Sequence, residues 1–347
     1  MLPRVTVLMT VYNGEKYLKE CMDSVLNQTF KDFEFLILDD CSTDSSVDII
    51  KSYNDTRIRL IENRENLGQV KSLNIGLDYA RGEYVARMDQ DDLMLKARLE
   101  KQLDFMQRSP DVCVVGTWGK AIDEKGRRFA KYCFPVRYEE IIGSILCGRH
   151  FFMHIAALFR KDTVIDAGKY NESFSLAEDY ELWTRLLLKK YKLVNIPEYL
   201  VKFRYHSENS SRKFPEIQLK SFCTATSNFL KIISGTYCDP SLDRLCNFLV
   251  NARLMKKEYW LDEMEPSYLE ETIDLLDAVL KRTTSYFNFT KREIFLMKKV
   301  FYNTMLNFAY MAADKGKSLP LYLLCLRNYP YLFTRPKMYL YPVKALI

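Results

Sequence analysis

The hydrophobic positions of the first hundred residues switch repeatedly between two periods. Val5-Thr6-Val7-Leu8-Met9-Thr10 is a short apolar, β-branched run, the pattern of a strand buried on both faces. Tyr17, Leu18, Cys21, Met22, Val25 and Leu26 then recur at helical spacing and predict a helix over 15–26. The alternation continues with a strand over 33–38 and a helix opened by the cap-forming Asp44-Ser45-Ser46 and running to Tyr53. A strand over 57–61, a helix over 69–80 and a strand over 83–88 follow. Such alternation predicts a mostly parallel sheet flanked by helices, with ligands held at the carboxyl ends of the strands.

Residues 110–205 read as mixed, with strands over 112–117 and 155–159 and a helix over 178–190. From about Pro215 the pattern is nearly all helical. The polar stretch Ser207-Glu208-Asn209-Ser210-Ser211 separates the two textures, predicting one domain over 1–210 and a mainly helical region over 211–347.

Composition narrows the class. The 347 residues are 48% hydrophobic, 28% charged and 14% aromatic, which excludes wholesale disorder and allows two cores. Nine dispersed Cys without a Cys-x-x-Cys pair, and three His, give a zinc finger little support and fit a reducing compartment. The longest uncharged run, 300–313, falls short of the ~20 residues of a spanning helix. The N-terminus has no signal-peptide layout, so a cytosolic or cytosol-facing protein is expected.

The polar residues fall at the strand ends. Asp89, Asp91 and Asp92 follow the fourth strand, where they repel one another unless a cation or donors neutralise them. Their oxygens suit Mg²⁺ or Mn²⁺; the alternative is a solvated acidic turn capping a helix that starts near Leu95. Asp39 and Asp40 end the second strand. A carboxylate there can accept the N3–H of uracil or thymine, and it would repel cytosine; an ordinary Asx turn is the other reading. Glu178 and Asp179 open a helix, where acids complement the dipole or serve as a general base. A helix start lowers a carboxylate's pKa, so a base there needs burial or neighbouring acids. His154 lies in an apolar run and reads as a packed residue, His206 can reach a metal or phosphate, and His150 is placed at the surface.

Together these pieces resemble glycosyltransferase family 2, inverting nucleotide-sugar transferases of the GT-A fold. The resemblance is carried by Val7-Leu8-Met9-Thr10-Val11-Tyr12-Asn13-Gly14, Leu38-Asp39-Asp40-Cys41-Ser42-Thr43-Asp44, Asn66-Leu67-Gly68, Leu73-Asn74-Ile75-Gly76, Arg81-Gly82-Glu83-Tyr84-Val85-Ala86-Arg87-Met88-Asp89-Gln90-Asp91-Asp92 and Ala177-Glu178-Asp179-Tyr180-Glu181-Leu182-Trp183. It implies a Rossmann-like GT-A domain with a nucleotide-sugar half over about 1–110 and an acceptor half over about 110–210. Thr10, Tyr12, Asp40, Asp89 and Lys71 would contact the nucleotide, with Tyr12 stacking on the base and Asp40 accepting from it. Asp89 and Asp91 look like the family's Asp-x-Asp, placing Mn²⁺ or Mg²⁺ on the diphosphate, with His206 nearby. Asp179 looks like the catalytic base. Asp92, Glu178, His154 and Trp183 would support the site or face the acceptor. Asp40-Cys41-Ser42 departs from the family's Asp-Gly-Ser, and a Cys suits that turn only if its φ is not positive. The Gln-x-x-Arg-Trp of processive synthases is absent, so transfer of a single sugar is expected.

Residues 291–347 carry ten Lys or Arg against Glu293 and Asp314, with eleven aromatics among them, so the basic excess of the +6 chain lies there. Basic residues interleaved with aromatics suit an anionic membrane surface, while a helical subdomain or dimer contact is the plain alternative. Nothing else supports nucleic acid as a partner. The expected activity is transfer from a UDP-sugar (dTDP second) to a hydroxyl of a glycan or lipid-linked oligosaccharide in cell-surface polysaccharide or lipopolysaccharide synthesis. It would take place in the cytoplasm or at the inner face of the membrane. A non-catalytic glycan- or membrane-binding protein on a degenerate transferase scaffold is the competing class. A nucleotidyltransferase ranks third, since Tyr12-Asn13-Gly14-Glu15-Lys16 offers a single Gly.

Overall fold

A computed structural model describes residues 2–174, 176–235 and 266–312. The chain forms two compact units, one of residues 1–137 with 152–221 and the other of 138–151 with 222–347.

The first unit is a nine-stranded mixed sheet in the order β3 (Ile58–Glu62), β2 (Phe33–Asp39), β1 (Val5–Val11), β4 (Tyr84–Asp89), β8 (Leu158–Arg160), β6 (Val112–Ile122), β9 (Lys192–Arg204) and β5 (Leu93–Met94), with β7 (Arg128–Tyr132) paired to β6. Strands β1 (Val5–Val11), β2 (Phe33–Asp39), β3 (Ile58–Glu62) and β4 (Tyr84–Asp89) are mutually parallel. Helices α1 (Glu15–Leu26), α2 (Ser46–Lys51) and α3 (Gln69–Tyr79) connect them. All seven residues of β2 are buried, as an apolar run covered on both faces requires. Because β1, β2 and β4 run in one direction, Val11, Asp39 and Asp89 all end at one edge. That shared edge brings the acidic loops together.

Beyond β4 the structure departs from the sequence reading. The segment after Asp92 is not yet helix: Leu93–Met94 is the short strand β5, antiparallel to β9, and α4 begins only at Arg98 (Arg98–Arg108). Strand β6 (Val112–Ile122) runs past the expected end and pairs with the exposed hairpin strand β7 (Arg128–Tyr132). The expected strand over 155–159 is a 3-10 turn at His154–Ala156 followed by β8 (Leu158–Arg160). After α6 (Lys161–Asp166), α7 (Glu178–Leu188) opens on the predicted acids. The thirteen-residue β9 (Lys192–Arg204) was not legible, because Asn195, Pro197 and Glu198 interrupt its apolar pattern. It lies parallel to β6 with shifts in register, and α8 (Ser210–Lys213) follows.

The second unit is helical. Helix α5 (Tyr138–Ile145) packs on α11 (Lys291–Ala312) so closely that a Cβ on Gly143 would lie 2.6 Å from the Met297 carbonyl oxygen. Most of α9 (Pro215–Ser234) and α10 (Pro266–Phe287) complete it, with Phe229, Leu280, Met297 and Phe301 buried. Tyr322, Tyr329, Tyr331, Phe333, Tyr339 and Tyr341 of the basic-aromatic run lie outside the described residues. Among the described residues no helix is long and apolar enough to cross a membrane.

Candidate active site

The edge where β1, β2 and β4 end is built on special backbone. Asn13 (φ 47°) and Cys41 (φ 65°) both adopt the left-handed region. The Asn13 side chain accepts from Thr43 N–H at 2.8 Å and ties the two loops together. The Asp-Cys-Ser departure is therefore a strained one: the turn does need positive φ, where a Cβ costs roughly 1–2 kcal/mol. Gln90 grips the Tyr12 backbone from both sides, accepting from its N–H at 2.9 Å and donating to its carbonyl at 3.1 Å. A Cβ on Gly14 would sit 2.6 Å from the end of that Gln90 side chain and would displace it from this grip. The grip leaves the Tyr12 ring 47% exposed at the edge, while Thr10 lies in register with Asp89.

Asp40 is buried and highly engaged. Its Oδ1 accepts from Asn63 Nδ2, Leu67 N–H and Ser72 Oγ, each at 2.9 Å. Among the described residues its Oδ2 takes Gly68 N–H alone, at 2.8 Å, and keeps a lone pair for another donor. Asp40 thus anchors the loop 63–68 whatever else it does. Its neighbour Asp39 accepts from Ser42 N–H at 3.0 Å through Oδ2, and its buried Oδ1 has no partner among the described residues. Lys71, exposed on α3, lines an open groove of about 520 Å³ with Leu67, Asn74 and Tyr170.

The three acids after β4 have three different environments. Asp89 accepts from the wholly buried Arg87 through Oδ1. Burial pushes the Asp89 carboxyl up, Arg87 opposes this, and Asp91 adds to it. Asp91 accepts from His206 Nε2 at 2.7 Å and Asn209 Nδ2 at 3.2 Å, both on Oδ2. His206 Nδ1 lies 3.2 Å from the Glu208 N–H and Nε2 lies 3.1 Å from Asn209 Nδ2, so the ring can turn Nε2 to Asp91 with a proton or to a cation with its lone pair, according to the tautomer. Asp92 is fully buried and turned toward β9, where Oδ1 accepts from Arg204 N–H at 2.6 Å and Oδ2 has no partner. Burial pushes it well up, and the charges of Asp91 and Asp89 push it further.

No group of three or more His, Cys, Asp or Glu among the described residues forms a ready-made cage. The donor set still fits Mg²⁺ or Mn²⁺. Asp89 Oδ2 and Asp91 Oδ1 accept no hydrogen bond among the described residues, and such ions take one or two carboxylates and fill the rest with water and phosphate.

On α7, Glu178 is buried and Asp179 is partly exposed. Burial raises Glu178 to about 8, with the Asp179 charge second. Burial also raises Asp179 to about 6; the Tyr180 N–H opposes and Asp89 reinforces. Desolvation therefore outweighs the helix start, the condition that a base at this position requires. His154 Nε2 shares a hydrogen bond with Tyr170 Oη at 2.9 Å and is pushed well below the ordinary imidazole value by burial and then by Arg87. Trp183 is 1% exposed, and its ring centroid lies 5.6 Å from that of Phe152 and 6.1 Å from that of Phe159. Trp183 is thus packed in the core beside His154, whose ring centroid lies 6.3 Å away.

Three residues here were not singled out in the sequence. A charge inside the apolar β4 run was the available signal for Arg87. Arg204 and Asn209 gave no signal separate from His206.

A model of "Glycosyl transferase family 2" matches residues 6–167. An uncharacterized glycosyltransferase of Methanocaldococcus jannaschii is 35% identical over 233 residues, covering 65% of this chain and 80% of that protein. The O-antigen biosynthesis glycosyltransferase WbnJ of Escherichia coli is 31% identical over 218 residues, covering 61% and 84%. The amylovoran biosynthesis glycosyltransferase AmsE of Erwinia amylovora is 32% identical over 212 residues, covering 60% and 79%. Among solved structures, S. aureus TarS 1–349 in complex with UDP-GlcNAc aligns over 94% of this chain and 92% of its own, with TM-score 0.59 at 18% identity, a likeness of fold. The described sheet is that of the GT-A transferases, and by its relatives the chain is a glycosyltransferase that belongs to glycosyl transferase family 2.

Proposed function

We propose that this glycosyltransferase is inverting and metal-dependent, and moves one sugar from a UDP-sugar to a hydroxyl of a glycan or lipid-linked oligosaccharide. The observation that carries the reading is Asp179: a partly exposed carboxylate at the start of α7, raised by burial and, to a lesser degree, by the charge of Asp89 at the end of β4. Asp179 would take the proton of the acceptor hydroxyl as its oxygen bonds to the anomeric carbon. The bond from that carbon to the diphosphate oxygen breaks on the opposite face, and the configuration inverts. Asp89, Asp91 and His206 would hold Mn²⁺ or Mg²⁺, which when bound supplies positive charge to the diphosphate. The Tyr12 ring offers a stacking face for the base, and the remaining lone pair on Asp40 Oδ2 can accept uracil N3–H. The named roles of WbnJ and AmsE support an acceptor in surface-polysaccharide synthesis. We place the work at the cytosolic membrane face, with the basic-aromatic run after residue 291 as the contact.

The test is a panel of nucleotide-sugars with and without Mn²⁺, read as released UDP, dTDP or GDP, with the product anomer assigned by NMR. Metal-dependent release of UDP with inverted product supports the reading. Release from another donor, metal-independent release or retained configuration rejects the corresponding part.

A further inference from the structure

We propose that Arg204 and Asn209 are positioning residues that set Asp91 and His206 at the spacing a shared divalent cation needs, a role that rests on reading those two as cation ligands. Asp91 and His206 stand 115 residues apart in sequence, on a loop after β4 and on the segment after β9. The antiparallel pairing of Leu93 with Lys202 brings the two segments side by side, but the side chains beyond that short ladder still have to be fixed.

Arg204 does this from beneath. The residue is 1% exposed, and its Nε donates to the Asp91 carbonyl at 2.9 Å. One terminal nitrogen donates to the carbonyls of Asp123 and Glu124 at 3.4 and 3.3 Å, and the other donates to Glu20. Its own N–H donates to Asp92 Oδ1 at 2.6 Å. The guanidinium lies 4.6 Å from the Tyr17 ring centroid, and that ring stands 5.1 Å from the ring of His206. One planar group thus joins the acidic loop, the β6–β7 turn and α1, mostly through backbone carbonyls that are fixed points of the fold. Lysine, with its donors converging on a single atom, cannot span these sites.

Asn209 closes the arrangement from above. Its Oδ1 accepts His206 N–H at 2.7 Å. Its Nδ2 lies 3.2 Å from both Asp91 Oδ2 and the Arg204 carbonyl. The amide therefore holds the backbone of one ligand and the carboxylate of the other. Partners of this kind commonly change metal affinity by about 10- to 100-fold while touching no metal themselves.

The experiment uses the full chain and Mn²⁺ alone as probe. Free Mn²⁺ is followed by EPR during titration of wild type, Arg204→Lys, Asn209→Ala and the control Asp91→Ala; metal-free UDP binding and thermal unfolding are measured beside it. Both positioning variants are expected to weaken Mn²⁺ by about 10- to 100-fold, with metal-free UDP affinity close to wild type. A merely structural lesion would lower both affinities together, which would overturn the inference. Wild-type Mn²⁺ affinity in a folded Asn209→Ala would also overturn it. That variant removes only the amide contacts of a loop residue, so it decides the matter even if Arg204→Lys unfolds. If the wild type takes up no Mn²⁺, the cation reading itself fails and the inference goes with it; Mn²⁺ uptake lost in Asp91→Ala but intact in both positioning variants refutes the inference alone.

Discussion

Arg87, wholly buried in β4, donates to Oδ1 of Asp89, the acid that ends the same strand. Its charge also opposes the upward push on Glu178 and Asp179. One cation inside the sheet therefore keeps a crowded acid site ionisable. Arg87→Met leaves these acids without it. Removing one partner of a buried pair costs about 3 kcal/mol or more, so a lower Tm is expected. The acidic limb of the pH–rate profile also moves to higher pH; an unmoved limb in a folded variant would show that Arg87 does not set it.

The raised Asp179 carboxyl gives transfer a pH signature. Above about 6 it is ionised and can accept a proton; below about 6 it is protonated and the base is lost. Transfer is expected to fall about tenfold per pH unit on that side. Asp179→Asn removes the limb and lowers the rate by roughly 10²- to 10⁴-fold, with UDP binding retained. Wild-type turnover in that variant rejects Asp179 as the base.

Glu178 predicts a stability effect of opposite sign to the usual carboxylate. Folding raises its pKa from 4.5 to about 8, so between those values the native state holds a proton that the unfolded chain releases. Stability from this group is present below pH 4.5 and is lost as pH rises through about 8. Glu178→Gln, fixed in the neutral form, raises Tm at pH 8 relative to wild type and changes it little at pH 4. Equal effects at both pH values would refute the assignment.

Cys41→Gly relieves a Cβ held at φ 65°. The gain in the folded state, less the greater freedom of glycine in the unfolded chain, is about 1 kcal/mol of stability. Denaturant titration measures it, and a loss of stability would mean that the thiol contributes packing worth more than the strain.

Asp92→Asn separates the third acid from the other two. Asparagine can still accept from the Arg204 N–H, and the carboxylate it replaces is fully buried. Mn²⁺-dependent UDP binding is expected to survive it and to vanish in Asp91→Ala. Equal loss in both would make Asp92 a direct ligand.

The parallel half of the sheet was legible because buried strands such as β2 are continuous apolar runs and α1 has a clean helical stripe. Acids at strand ends were legible for the same reason, since polarity there interrupts the pattern. Strand β9 was not: its register shifts against β6, and Asn195 and Pro197 break its period. The distinct environments of Asp89, Asp91 and Asp92 were equally invisible, because adjacent carboxylates differ only through partners such as Arg87, His206 and Arg204, which the chain brings from elsewhere. The positive φ of Cys41 ran against local preference, which disfavours any side chain there.

The 115-residue separation of Asp91 from His206 also sets a timetable for synthesis. At roughly 5–20 residues per second, the ribosome takes about 6–23 s to reach His206 after making Asp91. During that interval the emerging chain holds its acids without their histidine partner. The last strand among the described residues delivers that partner, so a chain cut short before residue 204 carries the acids that follow β4 and lacks both Arg204 and His206.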